Sequence, residues 1–381
     1  MKAIKGVLAG LALAASLSVQ AQVKIGVISS ASGPIAFVGI AQKNSVALLP
    51  KKMGGDTVKY IFYDDASDPT QSVQLAKKLL SEDKIDALIG PSGSPNAMGV
   101  LQVMAEAKTP MLAPVGTTAV VLPMDAKKRW VFKTTQNDAL IGAALVGEMV
   151  KTGVKTIGFI GYNDPYGESW YKTIGPMLQK AGIKMVANER YNRQDTSVAG
   201  QVAKLMAAKP DGVFVAGVAA GAALPQIQLV DAGYKGKIYQ THGAATPDFI
   251  KVGGKEVDGT IMAASLMLVL DEIPNSNPSK KMAEQYVNAY QKLYGSVPAT
   301  FGANVYDAGL LLAHAVPVAL KKARPGTPEF RAALRDALEA TKNLVATQGV
   351  YNMTPADHSG FDERGRVLVT VKNGKFVLLK D

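Results

Sequence analysis

The chain has 381 residues, 48% hydrophobic and 19% charged, with no cysteine, three histidines and a formal charge of +11. That length accommodates two domains with full cores, and the apolar content excludes a disordered chain. Without a thiol there is no disulfide, no cysteine-ligated metal and no cysteine nucleophile, and His242, His314 and His358 alone leave most metal and acid–base chemistry short of parts.

Lys2 and Lys5 precede an apolar run over 7–17, and Val19-Gln20-Ala21 puts small residues where a signal peptidase reads. Residues 1–21 are therefore expected to be a secretory signal cleaved before Gln22, too short to span a membrane. The mature chain would carry a charge of +9 after loss of the two lysines, and would be soluble in the periplasm of a Gram-negative host. Its basic residues are scattered in pairs such as Lys51-Lys52 and Lys280-Lys281, with no aromatic interleaving. They read as a solvated surface, not a nucleic-acid face.

Short apolar strands are predicted at 23–28, 58–63 and 87–90, with helices at 70–82, after the Asp68-Pro69 start signal, and at 96–107. The alternation resumes with a helix from Asn137 to about 152, strand 156–161, helix 166–181, strand 183–187, helix 197–208, strand 213–217 and helix 223–232. Strands alternating with helices predict an α/β chain with two doubly wound parallel sheets, each covered on both faces. At the end, 366–379 alternates around Asn373-Gly374, a hairpin with a type I′ turn.

Neither a G-x-G-x-x-G nor a phosphate-loop motif occurs, and Gly90-Pro91-Ser92-Gly93-Ser94 lacks the last glycine of a nucleophile elbow. His314 lies in an apolar helical stretch and reads as structural; Asp64-Asp65 reads as loop capping ahead of metal binding. No catalytic, metal or cofactor constellation emerges, so an enzyme is not expected. The loops 91–96 and 113–118 lie beyond strand ends, where hydroxyls and helix N-terminal N–H groups grip anions. Taken alone, each is equally a plain capped turn.

The order Ile25-Gly26-Val27, Ser32-Gly33-Pro34, Gly39, Tyr63-Asp64-Asp65-Ala66-Ser67-Asp68-Pro69, Ile89-Gly90, Ser94 and Asp164-Pro165-Tyr166-Gly167-Glu168 resembles the leucine/isoleucine/valine-type substrate-binding proteins of ABC importers. The resemblance runs from Val23 to the C-terminus. It implies a type I periplasmic-binding fold, two lobes joined by three crossovers near 134–137, 263–266 and 346–349. Lobe 1 would comprise 22–136 plus 265–347, and lobe 2 would comprise 137–264 plus 348–381. Hinge closure would trap a small ligand and present a surface to an ABC permease, the chain acting as a monomer.

The same resemblance implies a carboxylate grip by Ser94 with Val115 and Thr117, a pocket tyrosine at Tyr166 and an aromatic wall at Phe301. The disulfide that many relatives form falls on Ser67 and Gly93 and is absent here, so packing and prolines are expected to fix the Ser94 loop. The acid that holds an amino acid's ammonium falls on His242, and tyrosines of the pocket fall on Val218 and Val38. Losing one partner of a buried charge pair costs about 3–5 kcal/mol, a large part of the roughly 8 kcal/mol that binds a micromolar ligand. The expected ligand is therefore an organic or aromatic acid, with His242 donating to a second oxygen. The alternatives are a branched-chain or other apolar amino acid, with Asp164 or Asp307 as substitute acid, and a ligand-presenting subunit of a sensor.

Overall fold

The computed structural model describes residues 22–380; the expected signal peptide lies outside the described residues. Two sheets organise the chain. The first contains β1 (Val23–Ser29), β2 (Lys52–Met53), β3 (Asp56–Asp64), β4 (Ala87–Ile89), β5 (Met111–Ala113) and β6 (Val131–Lys133), in the order β2-β3-β1-β4-β5-β6. All of its pairings are parallel except β2 with β3. The second holds β7 (Thr156–Tyr162), β8 (Lys184–Tyr191), β9 (Gly212–Ala216), β10 (Lys237–Gln240) and β11 (Ile261–Ala264), all parallel, and ends on an antiparallel hairpin. Two short strands, β12 (Leu344–Val345) and β13 (Val350–Tyr351), form a separate ribbon, and β14 (Val367–Lys372) with β15 (Lys375–Leu378) makes the hairpin. Asn373 and Gly374 both have positive φ at its turn, as a type I′ turn requires.

Helices cover both faces of each sheet. In the first lobe α1 (Ala36–Val46), α2 (Pro69–Lys78) and α3 (Ser94–Glu106) follow their strands directly; α4 (Asp138–Lys151), α5 (Pro165–Lys180), α6 (Ala199–Ala208), α7 (Ala220–Asp231) and α8 (Pro247–Gly253) serve the second. The chain then returns through α9 (Lys280–Tyr294), α10 (Thr300–Leu320) and α11 (Pro328–Glu339). Val23, Ile25 and Val27 alternate onto a core shared with Val305, Leu312 and Leu334 of α10 and α11, while Ile28 and Leu88 pack beneath α2 and α3. In the second sheet, Phe159 and Phe214 bury against Trp170 and Leu145. Near-continuous apolar strands, buried on both faces, are what two-sided helix cover demands.

Gly39 permits α1 to leave β1 closely, since a Cβ there would stand 2.0 Å from the Ser30 carbonyl oxygen. The helix expected over 70–82 instead ends as α2 at Lys78 and continues as a π-helical turn, Leu79–Asp83, closed by Lys84 at positive φ. Strand β8 extends to Tyr191, beyond the expected 187. By length and composition α10 is long and apolar enough to cross a membrane, but most of it is buried, packed on α1 and α11. His314, expected to be a satisfied core histidine, lies on the exposed side of α10; the buried structural histidine is His358, which bonds the Val131 carbonyl and the Glu339 carboxylate and stacks on Phe132.

Candidate ligand-binding site

In each sheet the strand order reverses beside the first strand: β1 lies between β3 and β4, and β7 between β8 and β9. Crevices at the carboxyl ends of strands form at such switch points. The loops leaving β4, β5 and β6 meet those leaving β7, β9 and β10 around a shared cavity, the concave kind of place where small molecules bind. Val38, Ser94, Val115, Tyr166, Val218, His242 and Phe301 all line it.

Ser94 is the first residue of α3 and Pro95 the second, and Gly93 supplies no side-chain cap, so the helix presents uncapped first-turn N–H groups, a favourable place for an anion. The Ser94 hydroxyl accepts from the Thr117 N–H at 3.3 Å, which leaves its proton for a ligand oxygen. The loop is fixed by more than packing and prolines. Asn96 donates to Asp65 and Ser72, and Asp65 is the hub, accepting from Ser30 Oγ at 2.6 Å, Ser67 N at 3.0 Å, Ser72 Oγ at 2.7 Å and Asn96 Nδ2 at 2.9 Å.

Thr117 departs from its expected place on the ligand carboxylate. Its side chain does not line the cavity; the hydroxyl accepts from the Ala119 N–H and donates to the Pro165 carbonyl at 3.3 Å, tying the 113–118 loop to the start of α5. A second tie runs from Thr300 Oγ1 to the Ala245 carbonyl at 3.1 Å, and the Tyr166 ring lies against Gly116, where a Cβ would come within 2.4 Å of it. The two walls are in contact, a closed arrangement.

On the second wall Asp164 caps α5 through Tyr166 N and Gly167 N, and its other oxygen holds Arg193 Nε at 2.7 Å. The Tyr166 hydroxyl is paired with Thr241 Oγ1 at 2.8 Å, and burial pushes its pKa up. Arg193, over the Tyr162 ring at 4.4 Å, also lines the cavity. His242 follows β10 with its ring 5.7 Å from Trp170; both ring nitrogens are buried without a partner. Burial, and secondarily the Lys133 ammonium, push its pKa down to about 3, so the imidazole is neutral.

No Asp or Glu lines this cavity among the described residues, and Arg193 is its charged side chain. Neither substitute acid is placed to serve: Asp164 is spent on the α5 cap and Arg193, and Asp307 lies off the cavity, one oxygen accepting from Thr347 N and Oγ1 and the other buried without a partner. Burial raises the Asp307 carboxyl to about 7. Sequence reasoning missed Arg193 and the amides Gln136, Asn304 and Gln348 on the lining. Gln136 and Gln348 fall inside expected crossovers, a signal that was present; Arg193 follows β8 with none.

A family model described as periplasmic binding protein matches residues 22–375. The chain belongs to this family. Among relatives of this periplasmic binding protein, a Leu/Ile/Val-binding protein homolog of Brucella melitensis is 25% identical over 86% of each chain. A leucine-, isoleucine-, valine-, threonine- and alanine-binding protein of Pseudomonas aeruginosa is 23% identical, over 90% of this chain and 86% of its own. An extracellular ligand-binding receptor from Rhodopseudomonas palustris shares 45% identity and superposes with a TM-score of 0.91, over 94% of this chain and all of its own. A leucine-binding protein from Thermotoga maritima, 22% identical, shares the fold with a TM-score of 0.80 over 94% and 98% of the two chains. The fold is the type I periplasmic-binding fold, and this periplasmic binding protein is a solute-binding protein rather than an enzyme.

Proposed function

We propose that the chain is the periplasmic solute-binding component of an ABC importer, and that lobes 22–136 plus 265–347 and 137–264 plus 348–381 close on a small, largely apolar carboxylate. The observation that carries this is the Ser94 corner: an uncapped helix N-terminus with a hydroxyl proton to give, facing the apolar Val38 and Phe301 across a cavity that both lobes complete. Closure over such a ligand buries it and joins the two walls into one surface, which a permease can distinguish from the open form.

The names of the curated relatives favour a branched-chain amino acid over the organic or aromatic acid expected from the sequence. The charge of the cavity favours a carboxylate without an ammonium, and this second reading rests on the lining alone. Thermal unfolding against leucine, isoleucine, valine and a set of aliphatic and aromatic carboxylates tests the class. A ligand at 100 times its Kd adds about 2.7 kcal/mol of stability, and a panel in which no carboxylate raises the melting temperature overturns the proposal.

A further inference from the structure

We infer that the His242 corner selects, among the carboxylates proposed above, those without an ammonium group, and reads in its place a neutral hydroxyl or keto oxygen close to the carboxylate. This rests on the carboxylate-trap reading and deepens it.

Most polar side chains around the cavity already have protein partners: Ser92 bonds Gln42, Thr135 the Val115 carbonyl, Asn304 Gln348, Gln136 the Gly365 carbonyl and Thr300 the Ala245 carbonyl. His242 is the exception, with Nδ1 and Nε2 both buried and unpartnered. A neutral imidazole has one donor and one acceptor, and buried polar atoms left bare are costly, so the ring is built for a partner the protein does not supply. Its Nε2 would stand 3.5 Å from a Cβ on Gly116, beside the loop whose Thr117 N–H bonds Ser94. The imidazole therefore faces the polar end of a ligand gripped at Ser94, not its apolar tail.

An ammonium placed there meets no carboxylate on the lining. The charges nearby are already paired: Arg193 is held by Asp164 at 2.7 Å, and Lys133 has Asp138 and Asp357 beside it. Arg193 lines the cavity, and the fully buried Lys133 sits behind, its ammonium on the carbonyls of the lining residues Thr135 and Gln136. Asp138, the acid coupled to Lys133, is off the cavity and takes Thr118 N and Ser169 Oγ. A desolvated cation held by neutral groups alone, with every nearby carboxylate already committed to another cation, is strongly disfavoured, whereas a hydroxyl or keto oxygen accepts from the imidazole at no such cost.

Calorimetric titration of the full mature chain with two isosteric series decides it: leucine, 2-hydroxy-4-methylpentanoate and 4-methyl-2-oxopentanoate, and phenylalanine with its 2-hydroxy and 2-oxo counterparts. In the series that binds, the hydroxy or oxo acid is expected to be roughly tenfold or more tighter than the amino acid. His242→Glu is expected to invert that order, and His242→Gln, which keeps a neutral donor and acceptor, to preserve it. An amino acid binding the wild-type chain as tightly as its oxo acid overturns the inference while leaving the carboxylate trap intact. If neither series binds, the trap reading fails and the inference falls with it.

Discussion

Gly116→Ala tests closure at its tightest point. The added methyl would lie 2.4 Å from Cε2 and 3.0 Å from Cδ2 of Tyr166, and 3.5 Å from His242 Nε2. The ring has little room to yield, because Tyr166 is 3% exposed and its hydroxyl is held by Thr241. Gly116 is not among the residues with positive φ, so alanine brings no backbone strain of its own. Overpacking of a buried contact costs about 1–3 kcal/mol, and each 1.4 kcal/mol is about tenfold in affinity. The clash exists only where loop 113–118 meets α5, so the cost falls on the closed form. The expected result is a Kd weakened by roughly 5- to 150-fold, with the melting temperature of the ligand-free chain unchanged, measured by calorimetric titration and differential scanning calorimetry. Unchanged affinity refutes the closed contact; an equal loss of ligand-free stability shows that the loops touch regardless of ligand.

Ser94→Ala removes the hydroxyl proposed to hold the ligand carboxylate and is expected to weaken binding by about 1.5–3 kcal/mol, the worth of a hydrogen bond to a charged group; titration with the tightest ligand of the panel checks it, and retained affinity places the grip elsewhere. Asp65→Ala leaves Ser30, Ser67, Ser72 and Asn96 without their common acceptor and is expected to destabilise the first lobe by about 3 kcal/mol or more, read by urea unfolding; a loss under about 1 kcal/mol would show that these donors find other partners. The Asp307 carboxyl titrates near 7 in the fold instead of its ordinary 3.8, so between those values the folded chain holds a proton that the unfolded chain has released. Its contribution is complete below the lower value and is lost as pH rises through the upper one. Asp307→Asn removes that titration, so its melting temperature should fall less than the wild type's between pH 5 and pH 8; parallel curves would contradict the assignment.

The alternation of apolar strands and helices was readable because two-sided parallel strands must be apolar and one helix start, Asp68-Pro69, carries a local mark. The loop of Ser94 was legible because it follows a strand, and strand ends are where two lobes can meet; Tyr166, Phe301 and His242 were singled out only by the resemblance to the leucine/isoleucine/valine-type binding proteins. Local pattern does not reveal who bonds whom. Thr117 looked like a ligand contact because it is a hydroxyl in the right loop, but its oxygen is taken by Ala119 and Pro165, one of them 48 residues away. Arg193 has no periodicity or motif around it; its place is set by Asp164, 29 residues earlier. The π-helical turn at Leu79–Asp83 escaped notice because its composition is that of an ordinary helix.

The helix α10 is more than a core element. Phe301 faces the cavity, Asn304 one turn on pairs with Gln348, and Asp307 a further turn on takes both donors of Thr347. Six residues of helix make a rod of about 9 Å, one end at the cavity and the other bonded to the chain expected to serve as the third hinge. If 346–349 is the hinge proposed, Phe301 and that segment are the two ends of a lever. A substitution at the pocket end would then also reset the torque at the pivot, so affinities measured for Phe301 variants are expected to combine lost contact with a shifted opening equilibrium, and rates of opening and closing would divide the two.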